Sequence, residues 1–297
     1  MLNVRKWRPS RVFNALAARR CFNWMSDETC LKIQYRLSLG KKLNLKNPVT
    51  YNEKIQWLKL HDRKPEYTMM VDKYAVRSYI AKTIGEQYSI PLVGGPWKTF
   101  DEIDFDRLPD QFVLKCNHDS GGLVICKDKS KLDKEDARRK IEKSLKRNFY
   151  WVNREWPYKD VKPCIIAEQY MVDESGYELK DYKFFCFDGV PRVMFIATDR
   201  GTDTKFDFFD MDFNHLPFTN GHPCADRTPA KPAGFEEMKR LAGILSRGIK
   251  QVRVDFYEIN GRVYFGELTF SHWSGNVPFD PEEWDYKMGE WIDLPLK

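Results

Sequence analysis

The residues best equipped for chemistry lie toward the end of the chain: Arg253, Asp255 and Tyr257, followed by Glu267 and Thr269. Two carboxylates and a guanidinium on one face would bind a divalent cation together with a phosphate. Residues 252–270 read as two strands, rich in β-branched and aromatic residues, around the turn signal Asn260-Gly261. Side chains alternate along a strand, so Arg253, Asp255 and Tyr257 share one face, and Glu267 and Thr269 share one face of the partner. Whether those faces coincide depends on the turn. A two-residue Asn260-Gly261 loop opposes Asp255 to Gly266 and turns Glu267 away. A three-residue loop, Ile259-Asn260-Gly261 with Gly261 left-handed, opposes Arg253 to Glu267 and gathers all the polar groups. The second is expected, because the first aims a carboxylate into apolar core at a cost on the order of several kcal/mol. An edge hairpin with its charges in water carries the same letters.

Two other stretches carry chemistry. Lys115 precedes Asp119-Ser120-Gly121-Gly122, where glycines would let backbone N–H groups approach phosphate oxygens. It is not a Walker A loop, and G-x-G-x-x-G is absent too. Asp210-Met211-Asp212 is a D-x-D that could hold a metal beside a nucleotide-sugar. Nothing resembles G-x-S-x-G, which leaves Ser-His-Asp catalysis without support.

The elements that must position these residues follow from patterning. At 297 residues, with 42% hydrophobic and 14% aromatic content, the chain can bury a large core. No apolar run approaches the length of a membrane-spanning helix, and the N-terminus lacks a secretory run. Seven scattered cysteines without C-x-x-C point to reduced thiols in the cytosol, and the isolated histidines argue against zinc. Residues 1–48 hold eleven Lys/Arg against Asp27 and Glu28, while the whole chain is only +6, so a basic leader precedes a mildly acidic body. That asymmetry suggests an anionic partner for the leader: a membrane surface, a polyanionic glycan or nucleic acid.

Helices are expected over residues 11–24, 27–39 (capped by Ser26 or Asp27, stopped by Gly40), 52–60 and 72–84. A boundary is placed at residue 95. Beyond it come strands at 112–116 and 123–126, a helix at 133–147 capped by Asp133, and a strand at 165–171. A hairpin follows at 181–187 and 190–196 across Asp188-Gly189, then an amphipathic helix over 234–250.

Taken in order, Asp72-Lys73, Phe112-Val113-Leu114-Lys115, Ile166-Ala167-Glu168-Gln169-Tyr170-Met171, Arg253-x-Asp255 and Glu267-x-Thr269 resemble the ATP-grasp fold. The wording Phe112-Val113-Leu114-Lys115-Cys116-Asn117-His118, Asp181-Tyr182-Lys183-Phe184-Phe185-Cys186-Phe187-Asp188-Gly189 and Phe265-Gly266-Glu267-Leu268-Thr269-Phe270 is similar to the TupA-like ATP-grasp proteins of bacterial cell-surface polysaccharide biosynthesis, from about residue 43 onward. The resemblance implies an α+β ATP-grasp fold in which two lobes sandwich ATP. A basic helical lobe would span residues 1–95, a small lobe with phosphate lid and hinge 96–171, and a large lobe with the metal-binding hairpin 172–297.

It further implies that Lys73 and Lys115 contact the ATP phosphates under a lid of Ser120, Gly121 and Gly122. Glu168, Gln169, Tyr170 and Met171 would form a hinge reading adenine through backbone groups. Asp181 would hold the ribose, with Lys183 beside it in the nucleotide site. Arg253 would stabilise the transferred phosphoryl group, while Asp255 and Glu267 bind Mg²⁺. Thr269 stands where the family commonly carries an asparagine as third ligand, and Asn276 is a possible substitute.

The implied reaction is ATP-dependent ligation of a carboxylate to an amine through an acyl phosphate. The acceptor would be a uronic acid of a glycan and the donor an amino acid or amine. The implied location is the cytoplasm, with the basic leader against the inner membrane face. The alternative is a metal-dependent glycosyltransferase using Asp210 and Asp212. Nucleic acid is not expected, because no recognised binding motif accompanies the basic leader.

Overall fold

The computed structural model describes residues 9–119, 121–176, 178–200 and 203–296. Five helices come first: α1 (Pro9–Ala18), α2 (Asp27–Leu39), α3 (Tyr51–His61), α4 (Glu66–Val71) and α5 (Val76–Thr83). Next come β1 (Leu92–Trp97), β2 (Phe112–Cys116), β3 (Leu123–Cys126), α6 (Lys134–Leu145), α7 (Tyr150–Asn153) and β4 (Ile165–Gln169). The remainder is β5 (Asp181–Phe187), β6 (Val190–Thr198), β7 (Lys205–Asp210), β8 (Thr219–Asn220), α8 (Phe235–Leu245), β9 (Val252–Ile259), β10 (Arg262–Thr269), β11 (Phe279–Asp280) and α9 (Glu283–Glu290).

Local chemistry accounts for several of these bounds. Ser26 Oγ accepts from Thr29 N at 3.2 Å to start α2, and Gly40, at φ 72°, ends it with its N–H on Arg36 O. Asp133 caps α6 on Asp136 N at 2.9 Å. The helix expected from residue 72 begins later, because Asp72 Oδ1 accepts from Tyr74 N and Ala75 N and closes a turn first. α1 ends at Ala18 and α8 at Leu245, both short of the expected bounds, and α4 carries no signal that predicted it.

Two sheets result. The small one has order β1-β4-β2-β3 and packs Phe112, Leu114, Ile165 and Ala167 against Ala137 and Ile141 of α6. The large one has order β10-β9-β5-β6-β7 and is antiparallel throughout. One of its faces buries Phe184, Val254 and Phe256 under α8, with Tyr67, Val71, Val76 and Ile80 of α4 and α5 in the same core. The other buries Phe185, Phe195 and Phe208 beside Tyr51 and Ile55 of α3 and Trp284 and Met288 of α9.

The helices α3, α4 and α5 before residue 95 therefore belong to the large sheet's cores and do not form a lobe of their own. The boundary expected at residue 95 falls inside β1, whose Leu92 pairs with Glu168 of β4. Burying α3 and α5 against the large sheet removes apolar surface that a free-standing helical lobe of this size would leave in water.

Candidate active site

The β9–β10 hairpin has a two-residue turn and not the expected three-residue one. Ile259 pairs with Arg262, and Asn260 (φ 51°) and Gly261 (φ 72°) are both left-handed, the pattern of a tight hairpin turn. The register runs regularly to Phe265 opposite Phe256, then slips so that Glu267 opposes Asp255 and Thr269 opposes Arg253. Gly266 is the extra residue of a β-bulge. The bulge reverses the facing of everything after it: Val263 and Phe265 point into the core, whereas Glu267 and Thr269 join Arg253 and Asp255 on the open face. A side chain at Gly266 would crowd Asp255 O at 3.1 Å and Tyr257 Cε2 at 3.2 Å. Glu267 therefore faces Asp255 directly, where Arg253 was expected. The signal was present as a lone glycine inside a strand pattern, placed where the apolar parity changes.

Cross-strand rows assemble the rest. Lys183 of β5 opposes Asp255, which opposes Glu267, and Phe185 opposes Arg253, which opposes Thr269. Arg253 holds Asp255 with both arms, Nε to Oδ1 and Nη2 to Oδ2, each at 2.7 Å. Its Nη2 also donates to Glu267 Oε1 (3.1 Å) and Thr269 Oγ1 (3.0 Å), and Thr269 Oγ1 donates to Glu267 Oε1 at 3.0 Å. Lys183 Nζ donates to Asp255 Oδ2 and to Asp181 Oδ1, and Arg200 pairs with Asp181 Oδ2.

Burial opposes the Arg253 charge, yet Asp255, Glu267 and Asp181 outweigh it and raise its affinity for its proton. Burial likewise opposes ionisation of Glu267, but Lys183, Lys73 and Arg253 with the Thr269 hydroxyl pull its carboxyl down to about 2. The Asp181 charge and burial keep the Tyr257 phenol protonated.

Sequence reasoning missed the support behind Arg253. His272 Nδ1 accepts from Arg253 Nη1 at 2.6 Å, and His272 Nε2 donates to Asn220 Oδ1 at 3.0 Å. Asn220 is in turn fixed by its Nδ2 on Val277 O and Pro278 O. Burial and the Arg253 and Lys183 charges push His272 well below its ordinary value, so it stays neutral and serves as the arginine's acceptor. Arg200 was missed as well, and no sequence feature marks His272, Asn220 or Arg200.

The small sheet supplies the opposite wall. Lys115 pairs with Glu168, and both point between the sheets. Lys73 Nζ donates to Asp119 O at 2.6 Å, and Lys73 N donates to Asn117 O at 3.0 Å, which ties this lysine to the loop after β2. In that loop Gly121 (φ 96°) has open space around it, and Gly122 is wedged so tightly against Ser144 and Asp119 that no Cβ fits. Ser120 lies outside the described residues.

A cleft of about 640 Å³ lies between the walls, lined by Leu123 and Ile125 of β3, Tyr170, Met171, Arg200 and Tyr257. It continues into a constriction of about 60 Å³ bounded by Lys73, Lys115, Glu168, Gly266 and Glu267. Lys73, Lys115 and Glu267 thus line the constriction, and the buried network of Arg253, Asp255, Thr269, Lys183 and Asp181 stands directly behind Glu267. Glu168 and Gln169 sit within β4, Glu168 flanked by strands on both sides, and Gln169 N donates to Pro91 O. Tyr170 and Met171 lie past the strand's end.

Other candidates are employed elsewhere. Asp210 Oδ1 accepts from Asp212 N and Asn214 N, closing the turn after β7, and Asp212 is exposed. Asn276 Oδ1 accepts from Gln56 of α3. His215 is not isolated: its Nε2 lies 3.1 Å from Asp207 Oδ1, with Cys224 near enough that the three donor atoms lie within 4.8 Å of one another. The oxygens of Asp255, Glu267 and Thr269 gather around Arg253, with Glu267 lining the constriction, and form a hard donor set that suits Mg²⁺ better than a softer ion. Both Asp255 oxygens bond to Arg253 or Lys183, so a cation would enter by displacing these contacts.

A family model described as TupA-like ATPgrasp matches residues 53–293. No curated protein matches the chain. Among solved structures the chain is similar to D-alanine–D-alanine ligase from Bacillus anthracis complexed with ATP, at 18% identity and a TM-score of 0.38, covering 68% of this chain and 55% of that one. It is similar to D-alanine–D-alanine ligase from Helicobacter pylori at 15% identity and a TM-score of 0.41, covering 84% of this chain and 70% of that one. N5-carboxyaminoimidazole ribonucleotide synthetase from Thermus thermophilus matches at 10% identity and a TM-score of 0.38, over 69% of this chain and 48% of that one. The chain thus spans about half the length of the first and third of these proteins.

Proposed function

The chain belongs to the TupA-like ATP-grasp family, and from that premise we propose that it is an ATP-dependent ligase joining a carboxylate to an amine through an acyl phosphate. The acceptor is a uronic-acid carboxylate of a cell-surface polysaccharide or its precursor, and the donor an amino acid or amine. What carries the reading is the row Lys183–Asp255–Glu267 beside Arg253, facing Lys73 and Lys115 across a narrow constriction. Asp255 and Glu267 beside Arg253 and Lys183, with Lys73 and the Lys115–Glu168 pair opposite, make sense around a triphosphate and its metal.

In this reading the adenine lies in the wider cleft against Leu123 and Ile125, with Tyr170 and Met171 at its edge. Asp181, held by Lys183 and Arg200, stands toward the ribose. Lys73 and Lys115 neutralise the phosphates, and the loop at Gly121 covers them. Asp255, Glu267 and Thr269 would hold Mg²⁺, which when bound neutralises charge on the phosphate oxygens. An acceptor carboxylate oxygen bonds to the γ-phosphorus while the β,γ-bridging bond breaks and ADP leaves. The amine then attacks the acyl carbon, the C–O bond to phosphate breaks, inorganic phosphate leaves and the amine's proton passes to solvent. Arg253, still held from behind by His272 when the cation takes Asp255, turns its guanidinium to the oxygens that carry the transferred charge.

Around this chemistry the small sheet acts as one lobe and the large sheet with its helices as the other. No helix among the described residues is long and apolar enough to cross a membrane. The basic α1 segment serves as a peripheral contact for an anionic membrane face in the cytoplasm, where lipid-linked glycan is met.

The test is trapping. With Mg-ATP, a hexuronic acid and hydroxylamine as the amine, the protein should form a hydroxamate in step with ADP. ADP formation that ignores the carboxylate, with no hydroxamate, would count against a ligase.

A further inference from the structure

The turn after β10 holds a bulky residue where bulky residues are rare. Trp273 has φ 48°, ψ 21°, and Ser274 has φ 56°, ψ 20°, both in the left-handed region. The fold pins that turn from beneath. Gln56 Nε2 donates to Ser274 O at 2.9 Å and Gly275 O at 2.8 Å. The buried Lys59 donates to Ser274 O at 2.7 Å and to Ser274 Oγ at 2.6 Å. What this anchoring delivers to the surface is the Trp273 side chain, 40% exposed. It sits one residue from His272, the acceptor of Arg253.

The indole is also backed from behind. It stacks near Phe206 at 6.1 Å and 27°, with the His222 ring 5.9 Å away. Gly221 leaves room for it, since a Cβ there would meet Trp273 Nε1 at 2.8 Å. A strained backbone, a buried lysine spent on anchoring and an aromatic plate left half open would be costly as mere surface. Together they describe a preorganised contact for a ligand, separated from Arg253 by the His272 ring alone, whose centroid lies 5.6 Å from the indole.

Resting on the ligase reading above, we propose that Trp273 is the plate on which the acceptor's pyranose ring lies, its carboxylate directed toward Arg253. A pyranose presents a face of C–H bonds, weak donors to the electron-rich indole face, and a rim of hydroxyls. A free amino acid has no such face, so this surface selects the sugar and leaves the amine to approach from elsewhere. His222 and Asn276, both half-buried beside this turn, offer polar groups for the hydroxyl rim.

The experiment compares wild type, Trp273→Gly and Trp273→Phe, with saturation-transfer NMR of glucuronic and galacturonic acid and hydroxamate formation as readouts. Alanine and succinate serve as carboxylates without a ring. Glycine accepts the left-handed backbone, which offsets part of the packing lost against Phe206 and His222, so Trp273→Gly should melt somewhat below wild type yet remain folded at the assay temperature, checked by circular dichroism. Its half-saturating hexuronate concentration should nevertheless rise by about tenfold or more, while Trp273→Phe stays within about threefold of wild type. Trp273→Gly with unchanged hexuronate binding overturns the proposal, as does a wild type that prefers succinate. If hydroxamate forms from hexuronate equally in wild type and Trp273→Gly, the plate is wrong and the ligase reading stands. If wild type forms no hydroxamate from any carboxylate, the ligase reading falls, and hexuronate binding by the three proteins still decides for or against Trp273.

Discussion

A single arginine organises the site. Arg253 bonds to Asp255, Glu267, Thr269 and His272 at once, and each contact fixes where the others stand. Arg253, Asp255 and Glu267 were legible in the sequence because charged residues two apart in apolar strands are conspicuous. His272 and Asn220 were not, since a neutral histidine in a turn carries no periodic signal. The low Glu267 value gives a prediction whose sign is fixed. The folded value of about 2 lies below the ordinary 4.5. Ionised Glu267 therefore stabilises the fold above the ordinary value, and that contribution is lost as pH falls through the folded one. The melting-temperature gap between wild type and Glu267→Gln should be widest near neutrality and narrow progressively below about pH 4.5. It will be modest, because the Glu267 side chain is 41% exposed and solvent screens it. A gap that stays constant on acidification would contradict the charge network. Lys115→Ala and Lys73→Ala should each raise the half-saturating ATP concentration by about tenfold, measured by ADP release, whereas Asp210→Asn should leave it unchanged.

Among the elements, the hairpin is the instructive one. The two strands, their turn dipeptide and the need for one polar face were readable, but the device that meets that need was misplaced. The chain keeps the tight Asn260-Gly261 turn and inserts the extra residue at Gly266. Neither expected arrangement could satisfy Val263 and Phe265 in the core and Glu267 on the open face together; a bulge between them does. α2 and α6 matched their expected starts because their caps are written in the sequence. α3 lies within a residue of its expected bounds, whereas α5 starts late because the Asp72 side chain closes a turn first. β3 supports a separate prediction. Leu123 and Ile125 expose 42% and 54% of their surface and line the wide cleft opposite Tyr257. In the ligase reading adenine covers that surface. Leu123→Asp should weaken ATP binding by about tenfold, the loss of roughly one apolar contact, with little change in melting temperature. Unchanged affinity by calorimetry would move adenine off this strand.

At the scale of the molecule, the N-terminal helices were mis-sorted as a separate lobe because periodicity shows that a helix has an apolar face but not what covers it. Within that segment, α1 and the turn after it keep a large open surface: Val12, Leu16 and Trp24 are exposed, as are Arg11, Arg19 and Arg20. Arg5, Lys6 and Arg8 of the same basic leader lie outside the described residues. Apolar residues among arginines suit the interface of an anionic membrane. Replacing Arg11, Arg19 and Arg20 with Glu should abolish sedimentation with phosphatidylserine vesicles at low salt and leave ATP binding intact. Vesicle binding unaffected by that reversal would remove the membrane contact. The central claim is that one cleft takes the nucleotide and its metal, with Asp255 and Glu267 as the metal's ligands. Calorimetry of a non-hydrolysable ATP analogue, with and without Mg²⁺, tests it most directly on wild type, Asp255→Asn and Glu267→Gln. The account predicts tight binding by wild type only when Mg²⁺ is present, and loss of that Mg²⁺ dependence in both variants. Equal Mg²⁺-dependent binding by all three proteins would contradict it.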